Sequence, residues 1–177
     1  MKGLLELFPT VFEDDRGYFL EVYHKEKLTE LGIDFDFLQT NQSFSKKSVL
    51  RGLHFQNAPF AQGKLVRVIS GKVLDVVVDI RADSASFGKS MKVILDGKKG
   101  NMLYVPEGFA HGFLALEDTH FAYHCTNVYH KASESGIIWN DPDLNIEWEL
   151  EKYEVSQPIV SEKDKQLPKF EEIRQHL

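Results

Sequence analysis

Two β-branched runs, Leu65 to Ile69 and Val73 to Ile80, stand on either side of Ser70-Gly71-Lys72. A glycine-containing polar turn between two such runs predicts a β-hairpin. Asp75 and Asp79 sit four apart in the second run, so they share one face of the strand. The same rhythm extends in both directions. Strands are expected over residues 4–12, where Pro9 enforces an edge position or a break, and over 18–23, 35–45 and 50–56. Further strands are expected over 87–95, 101–105, 109–116 and 119–129. Turn residues separate them, among them Asp14-Asp15-Arg16-Gly17, Asp96-Gly97 and Pro106-Glu107-Gly108. Short strands at roughly ten-residue spacing predict an all-β sandwich or barrel. Helices are expected only at residues 25–31, with Gly32 as a stop, and at the short terminal stretch 170–176.

The 177 residues predict one domain over 1–177. After Trp139 the character changes. Asn140-Asp141-Pro142 reads as a turn, and residues 149–168 are polar and charged. Residues 149–177 hold too few apolar side chains for a core of their own, so they are expected as a tail packed on the barrel. A net charge of −6 argues against non-specific binding to nucleic acid or anionic membrane. It leaves room for a small anionic ligand at a local cationic pocket. The single cysteine, Cys125, allows no intrachain disulfide, which fits a reducing compartment. With no signal-peptide pattern and no apolar run near membrane-span length, a cytoplasmic protein is expected.

Chemistry concentrates between Val49 and Val68, where Arg51, His54 and Lys64 lie among apolar neighbours. Ionisable groups on an apolar strand are costly unless partnered. They read either as a satisfied core histidine with two strand-end cations or as part of an active site. Several other site types fail. Gly88-Lys89-Ser90 resembles the end of a phosphate loop, but the required glycine is Asp83. There is no G-x-G-x-x-G after a strand and no G-x-S-x-G. Cys125 lacks an activating motif and reads as a small core residue. None of the seven histidines forms a His-x-His pair, and His120 and His124, four apart on a strand, lie more than about 10 Å from each other. No metal site is expected. General acid–base chemistry remains, with His54 as a base near neutrality, Tyr123 as a proton donor or acceptor, and Lys64 and Arg51 as partners for an oxyanion or phosphate.

A longer series of segments carries more information. It runs Asp15-Arg16-Gly17-Tyr18-Phe19-Leu20-Glu21, Gln39-Thr40-Asn41, Leu50-Arg51-Gly52-Leu53-His54 and Gln62-Gly63-Lys64-Leu65-Val66-Arg67-Val68. It continues with Asp79-Ile80-Arg81, Pro106-Glu107-Gly108-Phe109-Ala110-His111-Gly112-Phe113, Tyr123-His124-Cys125-Thr126, Gly136-Ile137-Ile138-Trp139-Asn140-Asp141-Pro142 and Ser161-Glu162-Lys163-Asp164. In order and spacing, from about residue 13 to 168, these resemble the dTDP-4-dehydrorhamnose 3,5-epimerase family. Two positions depart from the family pattern: Phe55 where tyrosine is common, and His124 where lysine commonly follows the tyrosine. As a strand neighbour of Tyr123, His124 should point to the opposite face.

The resemblance implies a cupin-type jelly roll, a double-stranded β-helix with a few short peripheral helices, assembled as a homodimer. It implies a dTDP-linked 4-keto-6-deoxyhexose substrate and no cofactor. His54 would remove a proton acidified by the ketone, with Asp164 orienting its imidazole. Lys64 would stabilise the enolate oxygen, and Tyr123 would return a proton from the opposite face. Arg16, Glu21, Gln39, Asn41, Arg51, His111, Glu134 and Lys163 match ligand-contacting positions, with Arg16, Arg51 and Lys163 suited to the diphosphate and nucleotide. Tyr129 matches an aromatic that stacks on thymine. Asp75 and Asp79 carry no role; Asp79 with Arg81 reads as an ion pair.

Overall fold

The computed structural model describes residues 1–176. The strands are β1 (Leu5–Leu7), β2 (Val11–Asp14), β3 (Gly17–Leu20), β4 (Gln39–Ser45), β5 (Val49–Gln56), β6 (Lys64–Ser70) and β7 (Lys72–Asp79). They continue with β8 (Ser90–Asp96), β9 (Met102–Val105), β10 (Phe109–Ala115), β11 (Thr119–Cys125), β12 (Glu134–Gly136) and β13 (Ile159–Val160). The helices are α1 (Lys25–Glu30), α2 (Glu162–Lys165) and α3 (Phe170–Ile173), with 3-10 turns at Lys131–Ser133 and Arg174–His176.

One sheet runs β1-β9-β6-β11-β4 and a second runs β12-β5-β10-β7-β8, with β13 added parallel to β5. The β2–β3 hairpin stands apart from both. All pairings within the two sheets other than β13–β5 are antiparallel. The two sheets close on each other as a cupin-like jelly roll. Among the described residues no helix is long and apolar enough to cross a membrane.

Strand alternation sorts the side chains into separate cores. Val66, Val68, Val73, Val77, Leu103, Val105, Phe109, Phe113 and Phe121 fill the space between the sheets. From the alternate positions of the second sheet, Leu50, Leu53, Phe55, Leu74, Val76, Val78, Ala110 and Leu114 pack against Ile137, Trp148, Val155 and Phe170. The C-terminal region therefore covers the outer face of the second sheet, and β7 is buried on both sides. Each such Leu, Val or Phe contributes roughly 1.5–3 kcal/mol by leaving water. A third group, Leu28 and Ile33 with Leu65, Met102 and Tyr104, seats α1 on the outer face of the first sheet.

Several element boundaries differ from those expected. Pro9 divides the first stretch, leaving β1 and β2 on separate sheets. Residues 35–38 are not strand, and Asp34 and Asp36 instead engage Lys25. The strand after Thr119 ends at Cys125 rather than Tyr129, one step before the N–H of Thr126 donates to the carbonyl of Gly63. α1 stops as expected: the N–H of Gly32, at φ +82°, donates to Thr29.

Candidate active site

The inner positions of the strands converge on one cavity. Gln39, Asn41 and Ser43 come from β4, Lys64 from β6, His111 and Phe113 from β10, Phe121 and Tyr123 from β11. The cavity has two lobes, of about 400 and 210 Å³. His54, Lys64 and Tyr123 line both. His54 belongs to the second sheet, whereas Lys64 and Tyr123 belong to the first. The imidazole and the phenol therefore face one cavity from different sheets. His124, next in sequence, points away: its Nδ1 lies 2.8 Å from Thr40 Oγ1 and its ring packs with Tyr23 and Phe37.

The conformation of β5 at Gly52 decides what faces the cavity. Strict alternation would send Arg51 and His54 to opposite faces, yet both line the smaller lobe. Correspondingly, Leu50 and Leu53 both pack with the C-terminal region. The register between β5 and β10 shifts between His111 and Phe113, so that His111 pairs with His54 and Phe113 with Arg51. Gly52 takes φ +110°, and a Cβ on it would stand 2.6 Å from Gly112 Cα and 2.7 Å from the carbonyl oxygen of His111. Only glycine combines that dihedral with so close an approach.

The same glycine helps hold the carboxylate behind His54. Asp164 lies in α2, with its N–H donating to Ser161 Oγ at 3.1 Å. Its Oδ1 is 2.8 Å from His54 Nε2, and its Oδ2 accepts from the N–H of Gly52 at 3.1 Å. Asp164 is buried, and its burial opposes ionisation, but the His54 ring and the Gly52 N–H outweigh that and hold its pKa below the usual value. With Nε2 donating to Asp164, Nδ1 is the ring nitrogen left to accept a proton.

A second imidazole–carboxylate pair lies one strand away. His111 Nε2 stands 2.9 and 2.8 Å from the two oxygens of Asp75, which is fully buried on β7. Burial pushes the Asp75 carboxyl up, against the pull of His111 and Lys64. Asp75 was given no role in the sequence; its signal was a carboxylate within a run otherwise of Val and Leu. Asp79, on the same strand face, is instead committed to Arg81, Ser84 and Ser86. Lys64 is half-buried, reaching solvent only partly. Burial lowers its pKa, and the nearby Cys125, Asp75 and Glu134 oppose that shift. Burial raises the pKa of the Tyr123 phenol, with Arg51 opposing.

The mouth of the larger lobe is a linked polar rim. Tyr129, half-exposed, donates its hydroxyl to Glu134 Oε2 at 2.9 Å and its N–H to Gln39 Oε1 at 2.7 Å. Lys163 Nζ lies 2.6 Å from Glu134 Oε1, and Gln39 Nε2 donates to Asn41 at 2.9 Å. Gln56 and Gln62 also line this lobe, unsignalled by the sequence. Arg51 reaches across the seam to Ser45 Oγ and the carbonyl of Phe44 on β4. Of the thirteen positions named from the sequence, nine line this cavity, and Lys163 and Asp164 stand behind it, bonded to Glu134 and His54. Arg16 and Glu21 do neither. Arg16 pairs with Asp14 on the β2–β3 turn, and Glu21 bonds Lys27 at 2.7 Å beside a separate groove. Among the described residues, no group of three or more His, Cys, Asp or Glu is placed to hold a metal ion.

Comparison with known proteins gives this arrangement a lineage. The family model described as dTDP-4-dehydrorhamnose 3,5-epimerase matches residues 1–172. The chain belongs to this family. The dTDP-4-dehydrorhamnose 3,5-epimerase of Escherichia coli K12 is 46% identical over 175 residues, covering 98% of this chain and 92% of that protein. Among solved structures of the family's fold, the dTDP-6-deoxy-D-glucose-3,5-epimerase of Legionella pneumophila, in complex with dTDP-4-keto-L-rhamnose, superposes with a TM-score of 0.90. It is 43% identical, over 96% of this chain and 88% of that one. A 3'-monoepimerase from Streptomyces bikiniensis, in complex with dTDP-quinovose, also gives a TM-score of 0.90. Its identity is 31%, over 98% and 87% of the two chains.

Proposed function

We propose that this chain epimerises dTDP-4-dehydro-6-deoxy-D-glucose at C3 and C5, giving dTDP-4-dehydro-L-rhamnose. The observation that carries the reading is that His54 and Tyr123 face one cavity from different sheets, with Lys64 beside both. Carbons 3 and 5 flank the C4 ketone, so each C–H there is acidified by enolate resonance. Nδ1 of His54 takes the proton, and the C–H electron pair moves to the C4 oxygen. Asp164 fixes the imidazole tautomer and favours its charged form. Lys64 neutralises the enolate oxygen. Collapse of the enolate then takes a proton from the Tyr123 hydroxyl on the other face, which inverts the centre. His111, backed by Asp75, is a further polar contact for the sugar.

The rim supplies the nucleotide site: Tyr129 for the thymine ring, and Lys163 and Arg51 for the diphosphate. Acid, base and oxyanion donors suffice for the reaction, so no cofactor enters it. The enzyme works as a homodimer in the cytoplasm. The placement of Arg16 and Glu21 supports the dimer: their hairpin exposes Phe12, Tyr18 and Phe19, and a second copy would bring these residues to its neighbour's cavity.

The test is incubation with dTDP-4-keto-6-deoxyglucose in D₂O. Deuterium at both C3 and C5 is expected. Label at one carbon makes the enzyme a mono-epimerase, and absence of label removes the enolate mechanism altogether.

A further inference from the structure

Glu134 occupies a position that binding alone does not account for. Its two carboxylate oxygens are taken by Tyr129 and Lys163. Lys163 is followed directly by Asp164 in α2, a helix of four residues. That helix is suspended between two anchors. Upstream, β13 pairs with β5 at Val49 and Leu50. Downstream, Leu167 packs on Gly136 and the carbonyl of Pro168 accepts from the N–H of Ile138. Between these anchors α2 meets the site through Asp164 itself and through the Lys163–Glu134 ion pair. Glu134 is fixed in turn by β12, where it pairs with Gln56 while Gly136 pairs with His54. A line of contacts thus runs from Tyr129 through Glu134 and Lys163 to the carboxylate behind His54.

We propose that Glu134 is a positioning residue: through Lys163 it holds α2 so that Asp164 stays against His54, linking the state of the nucleotide rim to the strength of the base. This rests on the epimerase reading for its catalytic meaning, but the linkage can be read in the ligand-free protein. The groups facing His54 are Asp164 from α2, Glu134 from β12, Lys64 from β6, Tyr123 from β11, His111 from β10 and Arg51 from its own strand. Glu134 also acts on His54 directly as a nearby anion, so its removal alone is ambiguous. Lys163 resolves this. Removing a cation near His54 should raise the imidazole midpoint by simple electrostatics. Loosening Asp164 should lower it.

The experiment is NMR titration of the His54 imidazole in the wild type, Glu134→Gln, Lys163→Met and Asp164→Asn, each in the ligand-free protein. The expected result is a midpoint lowered by about half a unit in both Glu134→Gln and Lys163→Met, the scale of one partly exposed ion pair. In an Asp164→Asn background, Lys163→Met should cause no further fall. In turnover, Glu134→Gln should reduce kcat roughly threefold and move the acid limb of kcat/KM in the same direction as the NMR midpoint. A midpoint that rises or stays in Lys163→Met overturns the proposal, as does a loss in Glu134→Gln confined to KM. Failure of the epimerase reading shows separately, as absent deuterium exchange in the wild type.

Discussion

Arg51 and His54 face the same cavity although only two residues separate them on one strand. The backbone at Gly52 makes this so, and its effect can be tested directly. In Gly52→Ala the new methyl meets Gly112 and the His111 carbonyl at about 2.6–2.7 Å, at a dihedral that alanine avoids. Thermal or denaturant unfolding should show a loss on the order of 3 kcal/mol or more. Folded Gly52→Ala protein should be catalytically inert. A variant with wild-type stability would mean that β5 has an alternative path past β10.

His54→Ala should abolish deuterium exchange at both carbons. Substantial exchange in that protein would assign the base elsewhere, and His111 would be the next histidine to test. Asp164→Asn keeps the shape of the pair but loses the charge behind the imidazole, so kcat should fall by roughly two to four orders of magnitude. Near-UV circular dichroism should stay unchanged.

Asp164 also sets a stability trend in acid. Its folded pKa lies below its unfolded value, so its contribution is fully present above the ordinary carboxylate range, near pH 4. It disappears as the pH falls through the lower, folded value. The wild type should therefore lose stability between about pH 5 and 2 more steeply than Asp164→Asn. Parallel urea midpoints across that range would show that the carboxylate is not held as the structure places it.

Tyr123→Phe should impair inversion more than proton loss, because removal from carbon does not require the phenol. Equal loss of exchange and inversion would count against its role as the donor on the second face.

At high pH the two groups of the first sheet separate. Burial lowers the Lys64 pKa and raises that of Tyr123. The ammonium is thus lost at lower pH than that of a solvated lysine, and activity that needs it falls with it. The alkaline limb of kcat should lie below the ordinary lysine value of about 10.4 and should persist in any residual activity of Tyr123→Phe. A limb that disappears in Tyr123→Phe would assign it to the phenol.

Periodicity made the larger strands legible, from β4 to β11, because one face of each is apolar and the alternation is long enough to see. It also placed Tyr123 and His124 on opposite faces. It could not place Arg51 and His54 together, since that depends on a local register shift against β10. β12 and β13, three and two residues long, are too short to show a period, and their existence follows from docking on β5. Asp75 was visible as a buried-strand carboxylate, but its partner is set by the pairing of β7 with β10. Resemblance to the family marked Arg16 and Glu21 as ligand positions, yet the structure leaves both outside the cavity. Pairing between elements is not written in local pattern.

The carboxylate behind His54 arrives with α2, after every strand of the barrel has been made. A nascent or truncated chain ending before Ser161 contains His54, Lys64 and Tyr123 but no Asp164. Such a chain also lacks Phe170, which packs behind the second sheet, and Lys163, which holds Glu134 at the rim. Catalytic competence is therefore tied to the length of the chain: the segment that completes the base also completes the packing of the second sheet.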